Sequence, residues 1–275
     1  MVKISIVIPT LGRTAELDEC LKSICSQDYK NFDVVVVDQN YPGLIDYVIA
    51  KYADSINIKH LNVDFRGTSR AKNYALNSAE GEYLFFLDDD AELLPDTLNE
   101  IIRKIDKESI AVLFGRCIDR EGNDSVMLFS KVESLLSLDH HEGMFIESTM
   151  VIKRSVFASN QFDESLGVGA FHGAEEGYDL VLRLLKQGMQ LLYSPDFMVY
   201  HPQKISTYSD QELRRVFHYR CGYAKLCQKH SLNLNYCKRA FLVFFYVFYC
   251  VLVRNGKSRY YTVEFLALIL GRLVK

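Results

Sequence analysis

No CxxC pair occurs among the seven cysteines of this 275-residue chain, and their number is odd. Reduced thiols in a cytosolic compartment fit that usage better than a disulfide frame or a zinc site. No small-residue cleavage site follows the opening MVKISIVIPT. Its apolar run, Ile4 to Ile8, is short and broken by Ser5, so it predicts a strand rather than a signal peptide. There is no internal repeat and no low-complexity linker. No apolar run reaches the roughly 20 residues a membrane-crossing helix needs. The longest, Phe241–Val253, has 13, and Phe265–Leu270 is shorter. A full span is therefore not expected. With 49% hydrophobic and 24% charged residues, a disordered chain, a collagen-like fibre and a small disulfide scaffold are excluded. The length suits one large α/β domain with an appendage, or two small domains.

Charge is unevenly distributed. From His201 onward there are 13 Lys+Arg against 3 Asp+Glu, a balance of +10; residues 1–200 carry −13. An acidic body with a basic tail points to two different partners. In the tail, Lys238, Arg239 and Arg254 flank the aromatic-rich run. That pattern fits helices lying in a membrane surface; a buried helical hairpin is the alternative.

Ile4–Ile8 and Phe32–Val37, the latter with four valines in a row, fit strands buried on both faces of a sheet. Between them Leu17, Leu21 and Ile24 recur at helical spacing, completing a βαβ unit. A weaker strand is predicted over Ile56–Leu61, a helix over Ser69–Ala79, a buried strand over Tyr83–Leu87 and an amphipathic helix after Pro95. This alternation predicts an open, mostly parallel α/β sheet flanked by helices. Residues 111–150 show no clear pattern. A helix through Leu180, Leu184 and Leu185 and two short strands, Gln190–Tyr193 and Phe197–Tyr200, follow.

Several groups of residues suggest chemistry. Asp88-Asp89-Asp90 follows a buried strand; three adjacent carboxylates repel unless a cation or solvent neutralises them. They fit Mg2+ or Mn2+, or a solvated acidic loop. Asp38 ends the valine strand, where it suits a nucleobase or ribose contact or an Asx turn. Gly67 to Asn73 opens a helix with Arg70 and Lys72, which suits a diphosphate or a plain capped helix. Glu175-Glu176 lies at a helix start, where one carboxylate can act as general base or both can complement the helix dipole. His201 follows the last strand.

Taken in order, PTLGR, CLKSICSQDY, FDVVVVDQN, GTSRAKNYALNSAEGEYLFFLDDD, FDESLGVGAFHGAEEGYDLVLRLLKQG and YSPDFMVYHP resemble the family 2 glycosyltransferases of the GT-A fold. The likeness covers about residues 3–202, and the tail is similar to the basic, apolar C-terminal helices of bacterial polysaccharide-assembly members. The resemblance implies a catalytic domain at 1–203 and a membrane-surface helical segment at 204–275. It assigns Pro9, Thr10, Asp38, Arg70, Asn73, Asp88 and Asp89 to the nucleotide sugar. It gives Asp88, Asp90 and His201 to a metal. At two places the sequence departs from the family pattern: Gln39-Asn40 stands where Gly-Ser is usual, and Lys72 replaces a common arginine. The family's catalytic Glu-Asp or Glu-Glu pair falls on Glu175-Glu176 when counted forward from Gly173 and on Glu176-Gly177 when counted back from Arg183, so the resemblance gives Glu176 a base position under both counts, with Glu175 as the other candidate.

The implied activity is an inverting, metal-dependent transfer from a nucleoside-diphosphate sugar to a hydroxyl of a glycan or lipid-linked acceptor. It would take place at the inner face of the cell membrane, on an anionic surface; nucleic acid is not an expected partner. The alternatives are transfer to polyprenyl phosphate and an inactive sugar-nucleotide-binding assembly subunit. A nucleotidyltransferase is disfavoured because no glycine-rich, lysine-containing loop follows Ile8.

Overall fold

The computed structural model describes residues 1–105, 110–202 and 208–274. Two compact units emerge, one from residues 1–66, 70–161 and 183–204, the other from 67–69, 162–182 and 205–275. The domain boundary expected at 203/204 lies outside the described residues.

The first unit is built on β1 (Ile4–Thr10), β2 (Phe32–Asp38), β3 (Ile58–Asn62) and β4 (Tyr83–Phe86), all parallel in the order β3-β2-β1-β4. β1 and β2 are buried at every position, which explains their unbroken apolar runs. Each fully buried Val or Ile side chain contributes about 1.5–3 kcal/mol of transfer free energy. Helix α1 (Thr14–Cys25) covers them with Leu17, Cys20, Leu21 and Ile24. Helix α2 (Asp46–Tyr52), which the sequence pattern did not reveal, adds Val48, Ile49 and Tyr52. Helix α3 spans Thr68–Ala75, shorter than the Ser69–Ala79 expected.

Beyond β4 the sheet is mixed. The two-residue strand β5 (Glu92–Leu93) is followed by helix α4 (Thr97–Ile105), which buries Leu98, Ile101 and Ile105. The irregular region supplies β6 (Val112–Ile118), β7 (Ser134–Leu135), a 3-10 turn at Glu147–Thr149, β8 (Val151–Lys153) and helix α5 (Arg154–Ser159). The order continues β4-β8-β6-β9-β5, with β7 also beside β9 (Leu191–Tyr200). Four of the eight pairings are parallel; β8 is antiparallel to both β4 and β6. Two reversals leave β6, and β9 parallel to it, running in the direction of β4.

The two short strands expected at 190–193 and 197–200 are one ten-residue strand. Ser194-Pro195-Asp196 reads as a turn, yet the pairing of β6 with β9 shifts register between Phe114 and Arg116 opposite it. That bulge lets Pro195 stay in the strand. Gly115 is required there, since a Cβ would collide with the Phe197 carbonyl.

The second unit includes the start of helix α6 (Glu176–Lys186) and holds helices α7 (Asp210–Lys229), α8 (Asn233–Leu252) and α9 (Ser258–Leu273). Ala224, Val243 and Leu268 form its small core. At Gly271 of α9 a Cβ would lie 2.5 Å from the Cys221 Cα of α7, so glycine permits this close crossing. Glu264 of α9 is fully buried and pairs with Arg220 of α7 at 2.8 Å and with Arg239 of α8. Lys229 pairs with Asp163 and Asp179, and Arg259 with Asp210. Part of the tail's positive charge is thus neutralised inside this unit.

The expected length limit on the tail needs correction. Helix α8 extends eight residues N-terminal of Phe241, to 20 in all, which by length and composition is enough to cross a membrane. Only Val243 and Cys250 of it are buried; Phe241, Phe245, Phe248, Tyr249 and Leu252 are exposed.

Candidate active site

In a parallel sheet the carboxyl ends of the strands share one edge, where ligands bind. The register Thr10↔Asp38 sets the ends of β1 and β2 side by side. Leu87, just past β4, donates to the Val7 carbonyl, so Asp88 to Asp90 leave the sheet at the same edge. Tyr200 pairs with Glu92 and Ile118, and His201 donates its N–H to the Ile118 carbonyl.

Asp88, Asp90 and His201 converge, with one potential ligand atom from each within 4.8 Å of the others. His201 Nε2 lies 3.5 Å from Asp88 and 3.4 Å from Asp90. Its Nδ1–H donates to the Pro202 carbonyl at 3.1 Å, the tautomer that leaves Nε2 bare in the neutral ring. Two carboxylate oxygens and one imidazole nitrogen fit Mn2+ or Mg2+. Burial alone would raise the Asp88 carboxyl. The His201 hydrogen bond and the charges of Lys72, His201 and Arg13 outweigh it and hold the group at about 2. Burial would lower His201, but Asp88 and Asp90 raise it overall.

Asp89 faces elsewhere. It accepts from Thr10 Oγ1 at 2.8 Å and from Arg13 at 2.6 Å, while Arg13 also pairs with Asp90 at 2.7 Å. Burial, with Asp90 adding, pushes Asp89 up to about 6 against the pull of Arg13 and Thr10. Arg13 is a residue that sequence reasoning missed. It stands in the quoted PTLGR stretch, but nothing local links it to carboxylates some 76 positions away.

Pro9 is buried at the end of β1 beside Val37. Asp38 is fully buried and accepts from Asn40, His60 and Asn62. Burial would raise it; those hydrogen bonds prevail and hold it below its ordinary value. Arg70 is exposed and lies over the Phe65 ring at 4.1 Å, and Asn73 is buried. Lys72 is buried, its Nζ 3.4 Å from Glu147.

The glutamate pair belongs to the second unit. Glu175 has φ +76, an unusual value for a non-glycine residue, and its carbonyl accepts from Asp179 N–H. Glu176 opens α6 and is buried. Gly167, at φ +99, backs onto it: a Cβ there would lie 2.9 Å from Glu176 Oε1 and closer still to Ser69 Oγ. Ser69 Oγ donates to the Leu166 carbonyl, and Thr68 N–H to that of Val168. The helix N-terminus expected to face a diphosphate therefore has one backbone donor engaged.

The model of glycosyl transferase family 2 matches residues 5–159, more than half the chain. The chain belongs to that family. The matched stretch contains Asp38 and Asp88–Asp90, and ends before Glu175, Glu176 and His201. Over 184 residues the chain is 33% identical to the GalNAc(5)-diNAcBac-PP-undecaprenol beta-1,3-glucosyltransferase of Campylobacter jejuni, covering 64% of this chain and 58% of that relative. Among solved structures it is similar in fold to S. aureus TarS 1-349 in complex with UDP-GlcNAc. There the TM-score is 0.61 at 19% identity, over 83% of this chain and 71% of that one. The mannosyltransferase PcManGT from Pyrobaculum calidifontis, in complex with GDP-Man and Mn2+, aligns with TM-score 0.64 at 17% identity, over 98% and 86%.

Proposed function

We propose that this glycosyltransferase moves a sugar, with inversion, from a nucleoside-diphosphate donor to a hydroxyl of a lipid-linked glycan in bacterial polysaccharide assembly. The observation that carries this is the convergence of Asp88, Asp90 and a correctly tautomerised His201 at the sheet edge that also holds Thr10 and Asp38. The undecaprenol-linked glycan named for the Campylobacter relative supports the acceptor class. The UDP-sugar and GDP-sugar complexes of the fold neighbours support the donor class.

Asp88, Asp90 and His201 would hold a divalent cation, which when bound neutralises charge on a leaving diphosphate. Arg13 fixes Asp89 and Asp90, and Thr10 holds Asp89. The acceptor oxygen attacks the anomeric carbon, the bond from that carbon to the diphosphate breaks, and the diphosphate leaves with the electron pair. Glu176 takes the acceptor's proton. Inversion follows from a single in-line displacement, and no covalent enzyme intermediate forms.

The exposed aromatic face of α8, with Lys238 and Arg254, supports contact with an anionic membrane surface. Full-length protein is expected to float with anionic vesicles at low salt and less so in high salt. Protein that stays soluble under both conditions overturns the membrane assignment. The transferase assignment is tested by turnover of UDP- and GDP-sugars with Mn2+, with EDTA abolishing it. Activity that persists in EDTA counts against the metal site, and absence of both transfer and slow donor hydrolysis counts against catalysis.

A further inference from the structure

Asp38 was expected to touch the base or ribose. Its side chain has 0% exposure, and each of its oxygens already accepts two hydrogen bonds. Oδ1 takes the Asn40 backbone N–H at 2.9 Å and Asn40 Nδ2 at 2.8 Å. Oδ2 takes His60 Nε2 at 2.9 Å and Asn62 Nδ2 at 3.0 Å. A carboxylate has about four acceptor positions, so Asp38 is saturated. Half of that saturation comes from Asn40, at the place where the chain departs from the Gly-Ser of the resembling family. The Asn40 Oδ1 in turn accepts from Gly12 N–H at 2.6 Å, tying the loop after β1 to the loop after β2.

Among the partners of Asp38, His60 is the ring that reaches the surface, with 22% side-chain exposure. Residues 60 and 62 sit on one face of β3, opposite Val36 and Asp38 of β2. A carboxylate only accepts, so the His60 Nε2 carries the proton and the neutral ring leaves Nδ1 as a bare acceptor. The nearest acidic atom, Asp46 Oδ1, lies 3.8 Å from Nδ1, beyond hydrogen-bond distance, on a side chain that is 65% exposed.

We propose that in this chain Asp38 is a positioning residue and that His60 Nδ1 reads the donor's nucleobase by accepting from a ring N–H. Uracil and guanine carry such an N–H on their pairing edge. Cytosine and adenine present an acceptor nitrogen there, which faces the lone pair of Nδ1 and is disfavoured. This rests on the nucleoside-diphosphate donor proposed above.

Titration calorimetry of UDP, GDP, CDP and ADP with Mn2+ on the full chain tests it, together with nitrogen NMR of the His60 ring. UDP or GDP is expected to bind about tenfold or more tighter than CDP and ADP, the scale of one hydrogen bond. His60→Ala removes that preference while keeping diphosphate-driven affinity. In the free protein the ring carries its proton on Nε2, and the Nδ1 signal shifts when the preferred nucleotide binds. Asp38→Asn loosens the tautomer, which a purely structural aspartate would not do. An unchanged preference in His60→Ala, a proton on Nδ1 in the free protein, or an Nδ1 signal indifferent to bound nucleotide overturns the inference. The NMR outcomes decide it even if a variant fails to fold. Equal binding of all four nucleotides overturns the inference alone. If none binds, the donor assignment falls as well.

Discussion

Buried acids occur in both units of this molecule, but their surroundings differ. In the helical unit Asp179 lies against His230 and Lys229, each at 2.8 Å, and Glu264 lies between Arg220 and Arg239. Each of these carboxylates joins helices to one another or to a loop and is neutralised by cations of its own unit. At the sheet edge three carboxylates are consecutive, and Arg13 is shared between Asp89 and Asp90. Asp88 and Asp90 lie 3.5 and 3.4 Å from the Nε2 of His201, with no lysine or arginine ion pair of Asp88 among the described residues. Where cations match acids the result is a strut; where acids outnumber them beside an imidazole the result is a candidate ligand site.

Four substitutions sharpen the contrast. Asp90→Ala should abolish transfer while circular dichroism and Tm stay near wild type, because the residue serves the site and not the core. Strong activity in this variant would place the metal elsewhere. Glu176→Gln should lower the rate about 10²-fold or more, with donor affinity nearly intact. A larger loss from Glu175→Gln would move the base one residue. In the helical unit Glu264→Ala should leave donor binding unchanged and lower stability. Removing one partner of a fully buried pair costs about 3–5 kcal/mol. Arg220 and Arg239 are 30% and 35% exposed and can rehydrate, so about 2 kcal/mol is expected by urea denaturation.

The smallest effect concerns Asp38. Its carboxyl titrates below the ordinary 3.8 in the folded chain, so the unfolded chain binds the proton more readily. Its stabilisation is therefore fully present above that ordinary value and is lost as pH falls through the folded value. Asp38→Asn should flatten the acid end of the stability curve and leave its slope near neutrality unchanged. A variant as steep in acid as wild type would remove Asp38 from the account of acid stability.

The legible parts of the sequence were those with strong local periodicity. The continuous apolar runs of β1, β2 and β4, and the apolar face of α4, declare themselves because each is buried by its own pattern. Strands β5, β7 and β8, of two or three residues, are too short to carry a period and exist through pairing with distant partners. Pro195 concealed the continuity of β9, which depends on a bulge in another strand. The length of α8 was underestimated because its first eight residues are polar or mixed and only the run after Ala240 is apolar. For the site, the order of motifs pointed to Asp88, Asp90 and His201, and the structure brings these three together. The bond of Arg13 to Asp89 joins two separate loops and that of His60 to Asp38 joins two neighbouring strands, and no spacing rule reaches either.

Manganese binding measured by electron paramagnetic resonance, with and without UDP or GDP, tests the central claim most directly. Wild-type protein should bind one Mn2+ in a nucleotide-linked manner, and Asp88→Ala, Asp90→Ala and His201→Ala should each lose it, while Glu264→Ala retains it. Equal Mn2+ binding by wild type and all three site variants would contradict the account.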